Sequence, residues 1–221
     1  MHSNFLYKYY DAAQTQVCVT GSRATKNKIW KIVDTINGKP VTAIGSGAFN
    51  NRDDVETIYI PDSVSYIGCD AFRNCKNLSR VIFYHTSQRA KSLELCAWAF
   101  HNCPQLVHFG GSQPVYVRSF AFMDCITLQD FNVTIIAAEK KSFSQCAKLR
   151  TATFGENAAW EANSFQGCKA LSQLFFYDKI AEHIPHYKDK MKLLKGKVIS
   201  CTPKFNHLEL AYEGYNIDVS L

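Results

Sequence analysis

Residues 69–83 read CDAFRNCKNLSRVIF, and close relatives of this stretch recur along the chain. They are SGAFNNRDDVETIYI (46–60), AWAFHNCPQLVHF (97–109), SFAFMDCITLQDF (119–131), KKSFSQCAKLRTATF (140–154) and ANSFQGCKALSQLFF (162–176). A phenylalanine comes first, then a cysteine three residues on, then leucine or valine three after that. The key phenylalanines are Phe49, Phe72, Phe100, Phe122, Phe143 and Phe165, separated by 23, 28, 22, 21 and 22 residues. A fixed period of this size is the mark of a repeat protein in the leucine-rich range, and it outranks any local pattern when assigning a fold.

The residues after each phenylalanine show what one repeat builds. Six positions on stand Val55, Leu78, Leu106, Leu128, Leu149 and Leu171. Nine and eleven positions on stand pairs such as Ile58/Ile60, Val81/Phe83, Ala152/Phe154 and Leu174/Phe176. Spacing by two is strand periodicity, so these pairs face inward and their neighbours outward. Val41/Ile44 and Val64/Ile67, each followed by a turn glycine (Gly45, Gly68), read as a second short extended piece. Each repeat is thus one coil: a strand, a turn, a second strand, and a tight helical or 3₁₀ turn carrying the phenylalanine. One coil alone has too little apolar surface to offset the entropy of ordering it, and stacked coils share a continuous core. The phenylalanine, cysteine and leucine then form ladders through the stack.

Nine cysteines would suit a disulfide framework or a metal site, but the count is odd and no C-x-x-C occurs. Cys75, Cys103, Cys125, Cys146 and Cys168 share one repeat position, where a small buried thiol fits a crowded corner. Arg52 takes that position in the first coil, as expected of an edge unit with a wetter face.

The ends depart from the template. Residues 1–40 read as an N-terminal cap with a strand at QVCVT (16–20) and a turn at Asn37-Gly38. Residues 41–176 hold the six repeats. Residues 177–221 read as a helix-plus-strand cap: helical spacing at Tyr187, Met191 and Leu194 behind Pro185, then strands at KVISC, HLELAY and YNIDVSL. All three parts form one structural domain.

The run INGKPVTAIGSGAFNN…VETIYIPDSVSYIGCDAFRNCKNLSRVIF resembles the BspA-like class of leucine-rich repeats, whose hallmark is V-x-x-I-G-x-x-A-F-x-x-C-x-x-L-x-x-I-x-I-P. The similarity spans residues 36–176 and is tightest in the first two coils. Ala138 and Trp160 stand where isoleucine is usual, and the I-P step is absent after Pro61. The resemblance implies a right-handed solenoid, placed on or outside microbial cells, that binds proteins or host surfaces rather than catalysing a reaction. The opening MHSNFLYKYYDAAQ lacks the features of a secretory signal, so either the product is not exported by that route or its signal has been removed.

Function is expected on the concave face, where the outward residues of successive strands align. The middle row is Tyr59, Ile82, Gly110, Asn132, Thr153 and Phe175, flanked by Thr57, Arg80, Tyr84, His108, Asp130, Thr151, Gln173 and Tyr177. Tyr59, Arg80, Ile82, Tyr84 and His108 form the candidate binding patch, of residue types that interfaces favour. Strands also carry aromatics for their β-propensity alone, so both readings stand. The 28-residue gap before Phe100 places an insertion at HTSQRAKS (85–92), read as a solvated loop in which His85, Arg89 and Lys91 suit an acidic partner.

Other motifs carry less. His183 and His186 lack a third metal ligand nearby, and Cys103 beside His101 is a ladder residue, where a thiol is inert. Gly110-Gly111 matches no phosphate loop. The lysines of 179–197 alternate with acidic residues, as on the wet face of a helix. The net charge of +6 is mild and dispersed, which does not suit a nucleic-acid partner, and no apolar run is long enough to span a membrane. The sequence therefore predicts a non-catalytic, adhesion-type module that binds a protein, without cofactor or metal. A structural spacer within a larger surface protein is the alternative, and a thiol- or metal-dependent enzyme is a weaker one.

Overall fold

Alternating inward and outward residues can be buried on one side only if each strand finds a partner in the next coil, and the architecture follows from that pairing. A computed structural model describes residues 5–23, 26–87, 89–161, 163–176, 198–201 and 216–218. Among them the strands are β1 (Phe5–Tyr9), β2 (Val17–Ser22), β3 (Ile29–Lys31), β4 (Thr35–Ile36), β5 (Lys39–Ile44), β6 (Thr57–Pro61), β7 (Tyr66–Ile67), β8 (Arg80–Tyr84) and β9 (Leu93–Leu95). They continue with β10 (His108–Gly110), β11 (Val115–Val117), β12 (Asp130–Asn132), β13 (Thr134–Ala138), β14 (Thr151–Trp160), β15 (Gln173–Phe176), β16 (Val198–Cys201) and β17 (Asn216–Asp218). A five-stranded parallel sheet runs β12-β10-β8-β6-β3. A longer sheet runs β1-β2-β5-β7-β9-β11-β13-β14-β15-β16-β17, with β4 paired to β5. From β5 to β13 the chain alternates between the two sheets, and β14 to β17 extend the longer one, which makes a β-solenoid.

The phenylalanine ladder occupies the interior. Ring centroids of Phe49, Phe72, Phe100, Phe122, Phe143 and Phe165 succeed one another at 5.0, 4.8, 5.2, 5.3 and 5.0 Å. Phe109 and Phe131, from the five-stranded sheet, meet this column edge-on at 4.9–5.4 Å, so faces stack along the axis and edges meet across it. Aromatic quadrupoles favour both offset-stacked and edge-to-face contacts.

The turns carrying the ladder are not helical; there is no helix among the described residues. The Phe72 turn has bonds three residues apart, from Ala71 N to Gly68 O, Arg73 N to Asp70 O and Cys75 N to Phe72 O. Asp70 and Asn74, two before and two after Phe72, have φ of 56° and 59°, which stops a helix from propagating. The same alternation aims every second N–H along the solenoid: Asp70, Phe72 and Asn74 donate to the carbonyls of Ala97, Ala99 and His101 in the next coil. The turn is thereby a coil-to-coil ladder in its own right. Sequence periodicity did not reveal this, because glycine, aspartate, tryptophan, phenylalanine and lysine all occupy the first left-handed position.

Lys141 has φ 53° there, with its amide bonded to Asn163 Oδ1. Glycine takes that conformation without the Cβ clash. Lys141→Gly is expected to raise stability by about 1 kcal/mol, read from the urea midpoint; a loss of that size would show that no strain resides there.

Residues read as an N-terminal cap supply β1 to β4. β2 pairs in parallel with β5 and β3 with β6, so residues 17–31 add one winding ahead of the six phenylalanine coils. Phe5 and Trp30 meet Phe49 at 6.1 and 5.6 Å and close the column. The type I′-like turn at Asn37 (φ 51°) and Gly38 (φ 71°) joins β4 to β5. At the other end the corner between the sheets shrinks: four residues separate β6 from β7, one separates β12 from β13, and β14 runs unbroken. Thr153 consequently pairs with Thr134 of β13, not with Asn132, and Phe175 pairs with Thr153. The expected outward row of six ends at Asn132. Buried Ala138 pairs with buried Trp160, a small side chain beside a large one where two isoleucines are usual. The strands expected at KVISC and YNIDVSL appear as β16 and β17. The helix expected within 177–197, with His183 and His186, the strand at 207–212, and Tyr177 lie outside the described residues.

Candidate functional site

The outward residues of the five-stranded sheet fall into two registered rows. Ile29, Thr57, Arg80, His108 and Asp130 form one. Lys31, Tyr59, Ile82, Gly110 and Asn132 form the other. Tyr59 and Ile82 are direct neighbours on β6 and β8, as are Arg80 and His108 on β8 and β10. Arg80 is exposed; Tyr59, Ile82 and His108 are half-buried. Strand spacing of about 4.8 Å brings all four within one contact footprint.

Tyr84 plays a different part. It pairs with Pro61, and its hydroxyl reaches back two strands to donate to the Ile32 carbonyl at 2.7 Å. The Lys31 ammonium lies 4.6 Å above its ring. Burial, reinforced by the nearby Asp34 and Asp62 carboxylates, pushes its phenol up to about 12. Tyr84 therefore ties β8 to the chain beyond β3.

His108 folds along its own strand. A Cβ at Gly110 would lie 2.7 Å from its Nε2, so glycine is what lets the ring lie flat there. Its Nδ1 is 4.0 Å from Asp130 Oδ2. Burial and the Arg80 charge hold the imidazole below its usual pKa, opposed by Asp130. Reading the sequence missed Ile29, 57% exposed, which borders the patch beside Thr57. The alternation in IWKIV (29–33) held that signal, with Trp30 and Ile32 inward, but it lacks the repeat template.

The insertion is pinned down by a buried carboxylate. Asp62 Oδ1 accepts from Thr86 N and Thr86 Oγ1 at 2.8 and 2.7 Å, and Asp62 Oδ2 is 2.9 Å from His85 Nδ1. Ala90 N and Gln113 Nε2 donate to the Asp62 carbonyl, and Arg89 donates to Ser112 O. Burial would raise the Asp62 carboxyl, but the bonds from Thr86 and His85 outweigh it and hold the pKa below normal. His85 and Lys91 remain exposed on this loop.

The ladder thiols are engaged in structure. Cys75, Cys103, Cys125, Cys146 and Cys168 each donate to the carbonyl of the phenylalanine one coil back, at 3.0–3.1 Å. Burial pushes the Cys103 thiol well up, and His101 beside it packs its ring on Trp98 at 4.8 Å. Arg52, expected to face water, instead does the cysteine's work for the first coil. It donates to Ser22 O in the preceding winding and to both oxygens of Asp54, with its guanidinium 4.8 Å over Trp30.

A parallel β-solenoid whose coils each carry an aromatic and an aliphatic rung, with a thiol rung in all but the first phenylalanine coil, belongs to the leucine-rich-repeat class. More specifically, the chain belongs to the BspA type leucine rich repeat family, whose model matches six copies over residues 42–172. Among solved structures it is similar to a leucine rich cell surface protein from Faecalibacterium prausnitzii (19% identity, TM-score 0.51, covering 81% of this chain and 54% of that one). It is also similar to leucine-rich repeat proteins from T. pallidum (21%, TM-score 0.47, covering 76% and 88%) and Bacteroides ovatus (16%, TM-score 0.48, covering 98% and 66%). At such identities the likeness speaks for the fold alone, and the chain spans about half of the F. prausnitzii protein. No curated protein matches.

Proposed function

We propose that this chain is a non-catalytic, adhesion-type binding module that engages a protein through the outer face of β3, β6, β8 and β10. The observation that carries this reading is the clustering there of Tyr59, Arg80, Ile82 and His108, with Ile29 beside them. Their strands are held in a continuous parallel ladder, so the side chains are presented on a backbone that loses little freedom on binding. Tyrosine and arginine at the centre of such a patch are the residue types on which binding energy concentrates. The partner class is a protein on or outside a cell, in keeping with the description of the F. prausnitzii relative as a cell surface protein.

Tyr84 is left out of the test because its hydroxyl holds β8 to the chain near β3. Immobilised wild type and the Tyr59→Ala/Ile82→Ala variant are exposed to microbial and host extracts, and retained proteins are quantified by mass spectrometry. Loss of two hot-spot side chains should lower retention of the specific partner at least about tenfold while the melting temperature stays near wild type. Equal retention by both proteins would refute the patch. A wild type that retains nothing specific would favour the structural-spacer reading.

A further inference from the structure

Cys69 and Cys96 are among the described cysteines that stand apart from the ladder. Cys69 is exposed, and Cys96, in the next coil, is buried. Neither occupies the position three residues after a ladder phenylalanine. Both follow closely on the C-terminal ends of β7 and β9 in the longer sheet, which pair through Ile67 and Leu95. The backbone fixes their relation: Cys96 N donates to Ile67 O at 2.9 Å, and Asp70 N donates to Ala97 O at 3.2 Å. Residues 68 and 69 thus run alongside 96 and 97. Neighbouring strands stand about 4.8 Å apart, and a one-residue offset lengthens the separation between Cys69 and Cys96 to about 6 Å. That lies within the span of about 4.4–6.8 Å between Cα atoms that a disulfide bridges. Gly68, directly beside Cys96, interposes no side chain. The two thiols interact with one another, and Cys96 also interacts with the Tyr66 hydroxyl, so the three groups form one cluster.

The geometry points to Cys69 and Cys96 as a redox pair that closes a disulfide between the second and third phenylalanine coils. With a hydroperoxide as oxidant, the Cys69 thiolate attacks the O–O bond. An S–O bond forms, the O–O bond breaks, and a molecule of water or alcohol leaves. The Cys96 sulfur then attacks Cys69, displacing the sulfenic oxygen as water and leaving the S–S bond. Two thiols are oxidised by two electrons and one peroxide is reduced. A low-molecular-weight disulfide supplies the same two electron equivalents by thiol exchange, leaving as two thiols. Exposure makes Cys69 the residue first attacked, and Cys96 is placed to resolve it before further oxidation. The ladder thiols stay out of this chemistry because each is buried and donates to a phenylalanine carbonyl.

The bridge closes residues 69–96 into a loop that holds Phe72 and the 85–92 insertion, most of the longest spacing of the array. Closing it constrains the unfolded chain around that segment and should raise the melting temperature by about 5 °C.

The test is made on the intact wild-type protein. Reduced and hydrogen peroxide-treated samples are alkylated natively, digested without reductant and mapped by mass spectrometry. The expected result is a Cys69–Cys96 linked peptide, loss of Cys69 alkylation after peroxide, and its return on adding dithiothreitol. Recovery of Cys69 as sulfinic acid with Cys96 still a free thiol would overturn the proposal. So would Cys69 cross-linking two chains. Cys96→Ser serves as the second arm: it should leave peroxide-treated Cys69 over-oxidised, whereas an unaltered Cys69 product would show that Cys96 does not resolve it.

Discussion

Phe122→Ala should destabilise the protein by about 3–5 kcal/mol, the cost of deleting a fully buried ring from a close-packed interior. Phe122 stacks on Phe100 and Phe143 at 5.2 and 5.3 Å and takes the edges of Phe109 and Phe131 at 5.1 and 5.3 Å. No neighbour can swing in to fill the space, because each is held by its own coil's hydrogen bonds. Phe165 is half-buried and has a ladder neighbour described on one side only, Phe143 at 5.0 Å. Phe165→Ala should therefore cost well under half as much. Denaturant unfolding followed by circular dichroism measures both. Equal losses at the two sites would mean that the stacked column is not what holds the coils together.

Replacing Asp62 by alanine should cost about 3 kcal/mol, since a buried charged acceptor of several hydrogen bonds is removed at once. Its side chain is 1% exposed and anchors the insertion through Thr86 and His85. The carboxyl's folded pKa lies below its unfolded value of about 3.9, so its contribution is fully present above that pH. It is lost as the pH falls through the lower, folded value. Wild type and Asp62→Ala should then differ by a constant amount near neutrality and converge in strong acid. A gap that widens on acidification would give the wrong sign and exclude the carboxylate as the anchor. Proteolysis within 85–92 should quicken in the variant.

Much of this was legible in the order of residues. The six phenylalanines fixed the coil count of the regular array, and spacing by two assigned Ile58, Val81, Ala152 and Leu174 to the interior and Tyr59 and Ile82 to the surface. Asn37-Gly38 announced its turn. The candidate patch was legible for the same reason, except that Tyr84 proved committed to Ile32, and Ile29 was overlooked for want of a template around Trp30. The bond from each ladder thiol to the preceding phenylalanine carbonyl was also hidden. The sequence shows only that the position is small; the acceptor lies one coil away.

Sequence alone settled which side each residue of a coil turns to, because alternation is a property of neighbouring residues. The tertiary structure decided what stands beside it: β2 and β3 as an added winding, β14 fusing the two faces, left-handed residues ending each turn before it becomes helix, and Cys69 alongside Cys96. These depend on hydrogen bonds and packing between residues some twenty or more positions apart, and the energy that selects them exists only once the coils have stacked.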